Sequence, residues 1–111
     1  LDARHAVWWG HECLLARGVF LTQGDRDMLA LAATWVAEPD EVNRLTALRR
    51  ALAVERGPGA WIALAAGQEG ALCGRAVATG VLMLLSRIEQ EERRRWLAQF
   101  VAMAQSLATS A

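Results

Sequence analysis

His5, His11, Glu12 and Cys13 crowd the start of the chain, and histidine with cysteine is donor chemistry for zinc. Their spacing argues against a metal centre. A helix offers metal ligands at i and i+4, whereas these histidines stand six residues apart and so point to different faces. His5 and Glu12 lie about two turns apart, too far for a general base and its partner on a straight helix. Solvent-exposed side chains account for both. Cys73 would need a base held beside it to act as a nucleophile, and no histidine follows it in the chain. Both Cys13 and Cys73 sit in apolar-periodic segments, where a free thiol behaves as a small buried hydrophobe, so reduced cysteines and a cytoplasmic setting are the expectation. Gly57-Pro58-Gly59 and the glycines from Gly67 to Gly74 lack a strand before them, and no lysine exists to complete a phosphate cradle. These residues predict no catalytic, cofactor-binding or metal site.

Binding chemistry is better represented. Five tryptophans are many for 111 residues, and tryptophan both fills cores and anchors interfaces. Trp8, Trp9 and Trp96 stand next to polar or charged neighbours and are the candidate partner contacts, together with Arg93 and Arg94. Trp35 and Trp61 are assigned to the core. Arg93-Arg94-Arg95 could meet phosphates, but Glu89, Glu91 and Glu92 precede it and neutralise much of its field. Twelve arginines balance twelve acidic residues over the whole chain, so no global field steers it toward nucleic acid or an anionic membrane.

The elements that must position these residues read as helices throughout. Residues 2–17 form the first, with Ala6, Gly10, Cys13 and Leu14 on one side and Gly18 to end it. Thr22 with Asp25 starts the second, which runs to Ala37 with Leu29, Ala32, Ala33 and Val36 inside and Met28, Leu31 and Trp35 widening that face. Pro39 breaks the pattern, and Asp40 caps a third helix, 41–55, whose apolar side is Val42, Leu45, Leu48, Leu52 and Ala53. Ser86-Arg87-Ile88-Glu89 matches a capping box and is expected to open the last helix, with Glu89–Arg93 and Glu91–Arg95 spaced as i,i+4 pairs. Trp96, Phe100, Met103 and Leu107 form its stripe, with Leu97, Val101 and Ala104 alongside, and the tail from Ala108 is expected to fray.

Between these lie two segments apolar on every face, 60–66 after the Gly-Pro-Gly breaker and 76–85 after a glycine turn at 67–70. A helix without a polar face has to be surrounded, which predicts a buried helical hairpin at the centre of a compact all-α bundle of five or six helices. Gly74, Ala78 and Gly80 lower helix propensity in the second segment, and close packing is the expected compensation. One core suffices for this length: residues 1–111 are expected to form a single all-α domain that buries roughly 65% of its unfolded surface. The 54% apolar content exceeds the usual ~45–50% and hints at surface buried against another chain, a second copy included. The longest uncharged apolar runs fall short of the ~20 residues that span a bilayer, so no membrane insertion is expected. The first residue is Leu, which suggests a trimmed or processed start. Trp35, Trp61 and Trp96 recur at unequal separations, which does not support a regular helical repeat.

Three blocks in order carry a resemblance: Trp35-Val36-Ala37-Glu38-Pro39 with Asn43-Arg44; Pro58-Gly59-Ala60-Trp61-Ile62-Ala63-Leu64-Ala65-Ala66; and Gly74-Arg75-Ala76-Val77-Ala78 with Gly80-Val81-Leu82. Residues 31–103 thereby resemble an uncharacterised bacterial family of small Ala-rich helical domains. Members of that family carry a longer Gly/Pro/Ser-rich insertion between the last two blocks, here reduced to Gly67 through Cys73. The resemblance implies no activity. The expectation is therefore a non-enzymatic bacterial interaction module, self-associating or bound to another protein. One alternative, implied by a neighbourhood of secretion genes in the family, is a secretion-associated accessory, chaperone or immunity protein. Another is a small enzyme or ligand carrier using His5, Glu12 or Cys73 around an apolar pocket.

Overall fold

The computed structural model describes residues 2–68, 71–88 and 90–110, without the side chains of Gln90, Glu91 and Ser110. Helices account for its regular structure: α1 (Ala3–Ala16), a 3₁₀ turn (Gly18–Phe20), α2 (Gln23–Ala37), α3 (Glu41–Leu52), α4 (Pro58–Gly67), α5 (Ala71–Leu85) and α6 (Gln90–Ser110). The fold is an all-α bundle with a radius of gyration of 12.9 Å.

Local chemistry sets most of the boundaries. Asp2 accepts the His5 amide at 2.9 Å to start α1, and Asp40 accepts the Asn43 amide at 2.8 Å to start α3. Thr22 and Asp25 form a reciprocal capping box on α2, at 3.1 and 3.0 Å. Glu38 ends α2 because Pro39 excludes the helical conformation before it. Pro58 occupies the first turn of α4, where a missing N–H leaves nothing unpaired.

α4 and α5 pack most extensively, and α1, α2 and α3 close around α4. Every residue of α4 is buried except Trp61, which is half-buried under the Arg56 guanidinium. Ile62 and Leu64 each bring roughly 1.5–3 kcal/mol of transfer free energy to this centre. Gly80 allows the hairpin to close: a Cβ there would stand 2.8 Å from the Pro58 carbonyl oxygen.

Several expectations need correcting. α5 buries Cys73, Ala76, Val77, Gly80, Val81, Leu84 and Leu85, but its other side, with Leu72, Gly74, Ala78 and Leu82, is open. α1 and α4 cover one flank of α5, and α6 leans mainly on α1. Close packing thus explains Gly80 but not Gly74, where a Cβ would meet nothing within 4 Å.

α3 turns Ala47 and Ala51 inward, with Leu48 partly buried against the core, and leaves Val42, Leu52 and Ala53 outside. The small side chains let α3 approach α4 more closely than leucines would. Ser86 does not cap α6. Its hydroxyl donates to the Met83 carbonyl at 2.6 Å, in the last turn of α5, and α6 begins at Gln90. Glu89, and with it the expected Glu89–Arg93 pair, lies outside the described residues, as do the Glu91 side chain and Glu69-Gly70 of the glycine turn.

Candidate functional site

The polar residues of α1 separate into two unconnected pairs. His5 Nδ1 meets Asp2 Oδ1 at 2.9 Å near the surface. The His5 amide, and then its side chain, hold the Asp2 carboxyl below its ordinary value. His11 departs from the polar character of its neighbours: it is only 8% exposed, lies in a stack 4.6 Å from Trp8, and places Nδ1 3.1 Å from Glu12. Trp8 is three residues before it, the spacing that brings side chains together on one helix face.

Both cysteines are free and buried. Burial first, and the Glu12 charge second, push the Cys13 thiol up; burial alone raises that of Cys73. A raised thiol is a poor nucleophile. Among the described residues no group of three or more His, Cys, Asp or Glu could hold a metal ion.

The candidate contact residues fall into three places. Trp9 donates its indole N–H to the Phe100 carbonyl and so ties α1 to α6. Trp96 belongs to the same seam, 6.0 Å from the Phe100 ring and under the Arg17 guanidinium, which also lies over Phe20. Trp8 forms a wall of a cleft of ≈ 490 Å³ between the ends of α1, α2 and α6, with Arg4, His5, Val36, Ala37 and Leu107. Arg93 and Arg94 stand together at a groove of ≈ 370 Å³ between α5 and α6, lined also by Leu82, Leu85, Ser86 and Leu97. Arg93 donates from two nitrogens to the Ile88 carbonyl, at 3.0 and 2.6 Å, which fixes its side chain over the start of α6.

The site residue that sequence reasoning did not single out is Asp25. It is 5% exposed, accepts the Thr22 and Gly59 amides at 3.0 and 3.1 Å, and receives Arg87 at 3.2 Å. Burial would raise its pKa. The Thr22 and Gly59 amides with the Arg87 guanidinium outweigh that and hold the carboxyl below its ordinary value. Arg87 also donates to the Phe20 carbonyl at 2.7 Å, so one cation fastens the α5–α6 connection to the entry of α2. The adjoining cleft of ≈ 520 Å³ sets Asp25, Asp27 and Glu55 against Arg50, Arg56 and Arg87, a balanced lining without a net field. Asp25 is thus a structural clamp among three helix ends.

A different signal comes from apolar side chains left in water. Leu72 and Leu82 on α5 are 56% and 61% exposed, and Leu97 and Val101 on α6 are 45% and 46% exposed. Among the described residues no helix is long and apolar enough to cross a membrane. No curated protein and no solved structure matches the chain. A family model does: it covers residues 1–108, essentially the whole fold just described, and the chain belongs to that family of unknown function, DUF6931.

Proposed function

We propose that this chain is a non-enzymatic protein–protein interaction module of the bacterial cytoplasm. The observation that supports it is the open apolar surface at the groove between α5 and α6, where the exposed Leu82 and Leu97 lie beside Arg93 and Arg94. Exposed leucines facing each other across a groove, with polar groups at its rim, suit a surface that another molecule covers. The buried, raised thiols and the separated histidine pairs supply no matching argument for catalysis.

Affinity capture from a native bacterial host, with light scattering on the purified chain, tests this reading. A stoichiometric partner supports it, and so does a homodimer. A chain that stays monomeric and retains no partner overturns it. A secreted protein as the captured partner would define the module as a secretion-associated accessory or chaperone.

A second reading, a ligand carrier, is favoured by the Trp8 cleft, whose volume falls within the ~300–1,000 Å³ of small-molecule sites. A small aromatic carboxylate, with its ring against Trp8 and its charge on Arg4, would suit that lining. Saturable quenching by such a compound in the chain, absent in Trp8→Ala, supports the carrier reading; unsaturable quenching that is equal in both eliminates it.

A further inference from the structure

Among the described residues that line the Trp8 cleft, the two whose side chains can carry charge are Arg4 and His5, both in the first turn of α1. Arg4 donates its Nε–H to the Val36 carbonyl at 2.6 Å, which fixes the guanidinium at the end of α2. Its Nη groups have no partner among the described residues. Ala33, Val36 and Ala37 from α2 and Leu107 from α6 complete the lining, and none of them titrates.

Asp2 orients His5. Nδ1 lies 2.9 Å from a carboxylate oxygen that can only accept, so this nitrogen carries a hydrogen in the neutral ring as well as in the charged one. The proton that separates the two states therefore resides on Nε2, which has no partner among the described residues. Asp2, held below its ordinary value, stays ionised throughout the range in which histidines change charge, about pH 5 to 8. Protonation thus turns one defined atom from an acceptor into a donor. A ligand carboxylate can bond to that atom only in the charged ring, because the neutral Nε2 presents a lone pair.

We infer, resting on the ligand-carrier reading, that capture of an aromatic carboxylate in this cleft is linked to protonation of His5, with the ring against Trp8 and the carboxylate shared by the Arg4 guanidinium and His5 Nε2–H. Binding then draws protons from solution, and the cleft fills in acid and empties as pH rises. His11, the other histidine of the chain, stacks on Trp8 and meets Glu12, so the test has to separate the two imidazoles.

The test uses the full chain with naphthoate, and naphthamide as its uncharged counterpart, in titration calorimetry at about pH 5.5 and about pH 8. Naphthoate should bind on the order of fivefold more tightly in the acidic buffer, with net proton uptake read from buffers of different ionisation heat, while naphthamide should bind alike in both. His5→Gln should hold naphthoate no more tightly in acid than the wild type does in the alkaline buffer, and should abolish the proton uptake. His5 is half-exposed, so circular dichroism should show unchanged folding. Saturable binding that is lost in Trp8→Ala but equal at the two pH values overturns the proton linkage and leaves the carrier reading intact. The same holds for pH dependence that survives His5→Gln, which moves it to His11, and for an equal gain in acid by naphthamide. Failure of both compounds to bind at either pH overturns the carrier reading and the inference with it.

Discussion

Asp25 and Gly59 are fitted to each other: the carboxylate of the first accepts the amide of the second at 3.1 Å, and a Cβ on the second would overlap the main-chain carbonyl of the first. Gly59→Ala should therefore force α2 and α4 apart, at a cost of about 3 kcal/mol in urea unfolding. Gly74→Ala provides the contrast. That position is helical, exposed and without neighbours, so the added methyl should stabilise by roughly 0.5–1 kcal/mol. Equal effects at the two sites would contradict the packing described.

Removing the charge at the same clamp should give a pH signature. Asp25→Asn is expected to cost about 2 kcal/mol at neutral pH, since the Arg87 contact loses its ionic partner. The folded carboxyl titrates below its unfolded value of 3.8. Its contribution is accordingly complete above that value and disappears as pH falls through the folded one. Stability curves of the wild type and the variant should converge in acid; parallel curves down to that range would show that ionisation of Asp25 is not what the clamp uses.

Helix starts offer a third check. Thr22→Ala removes one side of a formed capping box and should cost about 1 kcal/mol. Ser86→Ala removes only a hydroxyl that bonds back to Met83, and its effect should stay within about 0.5 kcal/mol. The reverse order would restore Ser86 as the start of the last helix.

The thiols should be quiet. Cys13 and Cys73 are buried, and burial keeps both protonated, so an aromatic disulfide reagent should label them slowly in the native chain. Labelling should accelerate in step with the unfolded population as urea is added. Fast labelling of either residue in buffer would mean that its segment opens independently.

How far the sequence revealed these features depends on how local their causes are. The Thr22–Asp25 cap is four consecutive residues and can be read directly, and the fully apolar run of α4 admits only an enclosed place. The packed side of α3 was misread because leucine outranks alanine on any hydrophobic pattern, while closeness of approach to α4 favours Ala47 and Ala51. α5 reads as enclosed because Ala78, Leu82 and Met83 on its outer side are apolar as well, and composition alone does not tell a covered side from an open one. The double role of Asp25 was hidden because its partners stand 34 and 62 residues away, and no periodicity links positions so distant. Of the candidate contacts, Arg93 and Arg94 share one groove, whereas Trp9 and Trp96 occupy the seam between α1 and α6.

That seam gives the molecule two tiers of cohesion. The inner tier is the ring of helices around α4; the outer is a single 21-residue helix moored chiefly to α1 by an indole, a stacked guanidinium and Phe100. α6 rests mainly on one helix while α4 is enclosed by four, so amides of α6 should exchange with solvent before those of α4. A guest seated between α5 and α6 would close that gap, making slowed exchange in the last helix the earliest sign of occupancy.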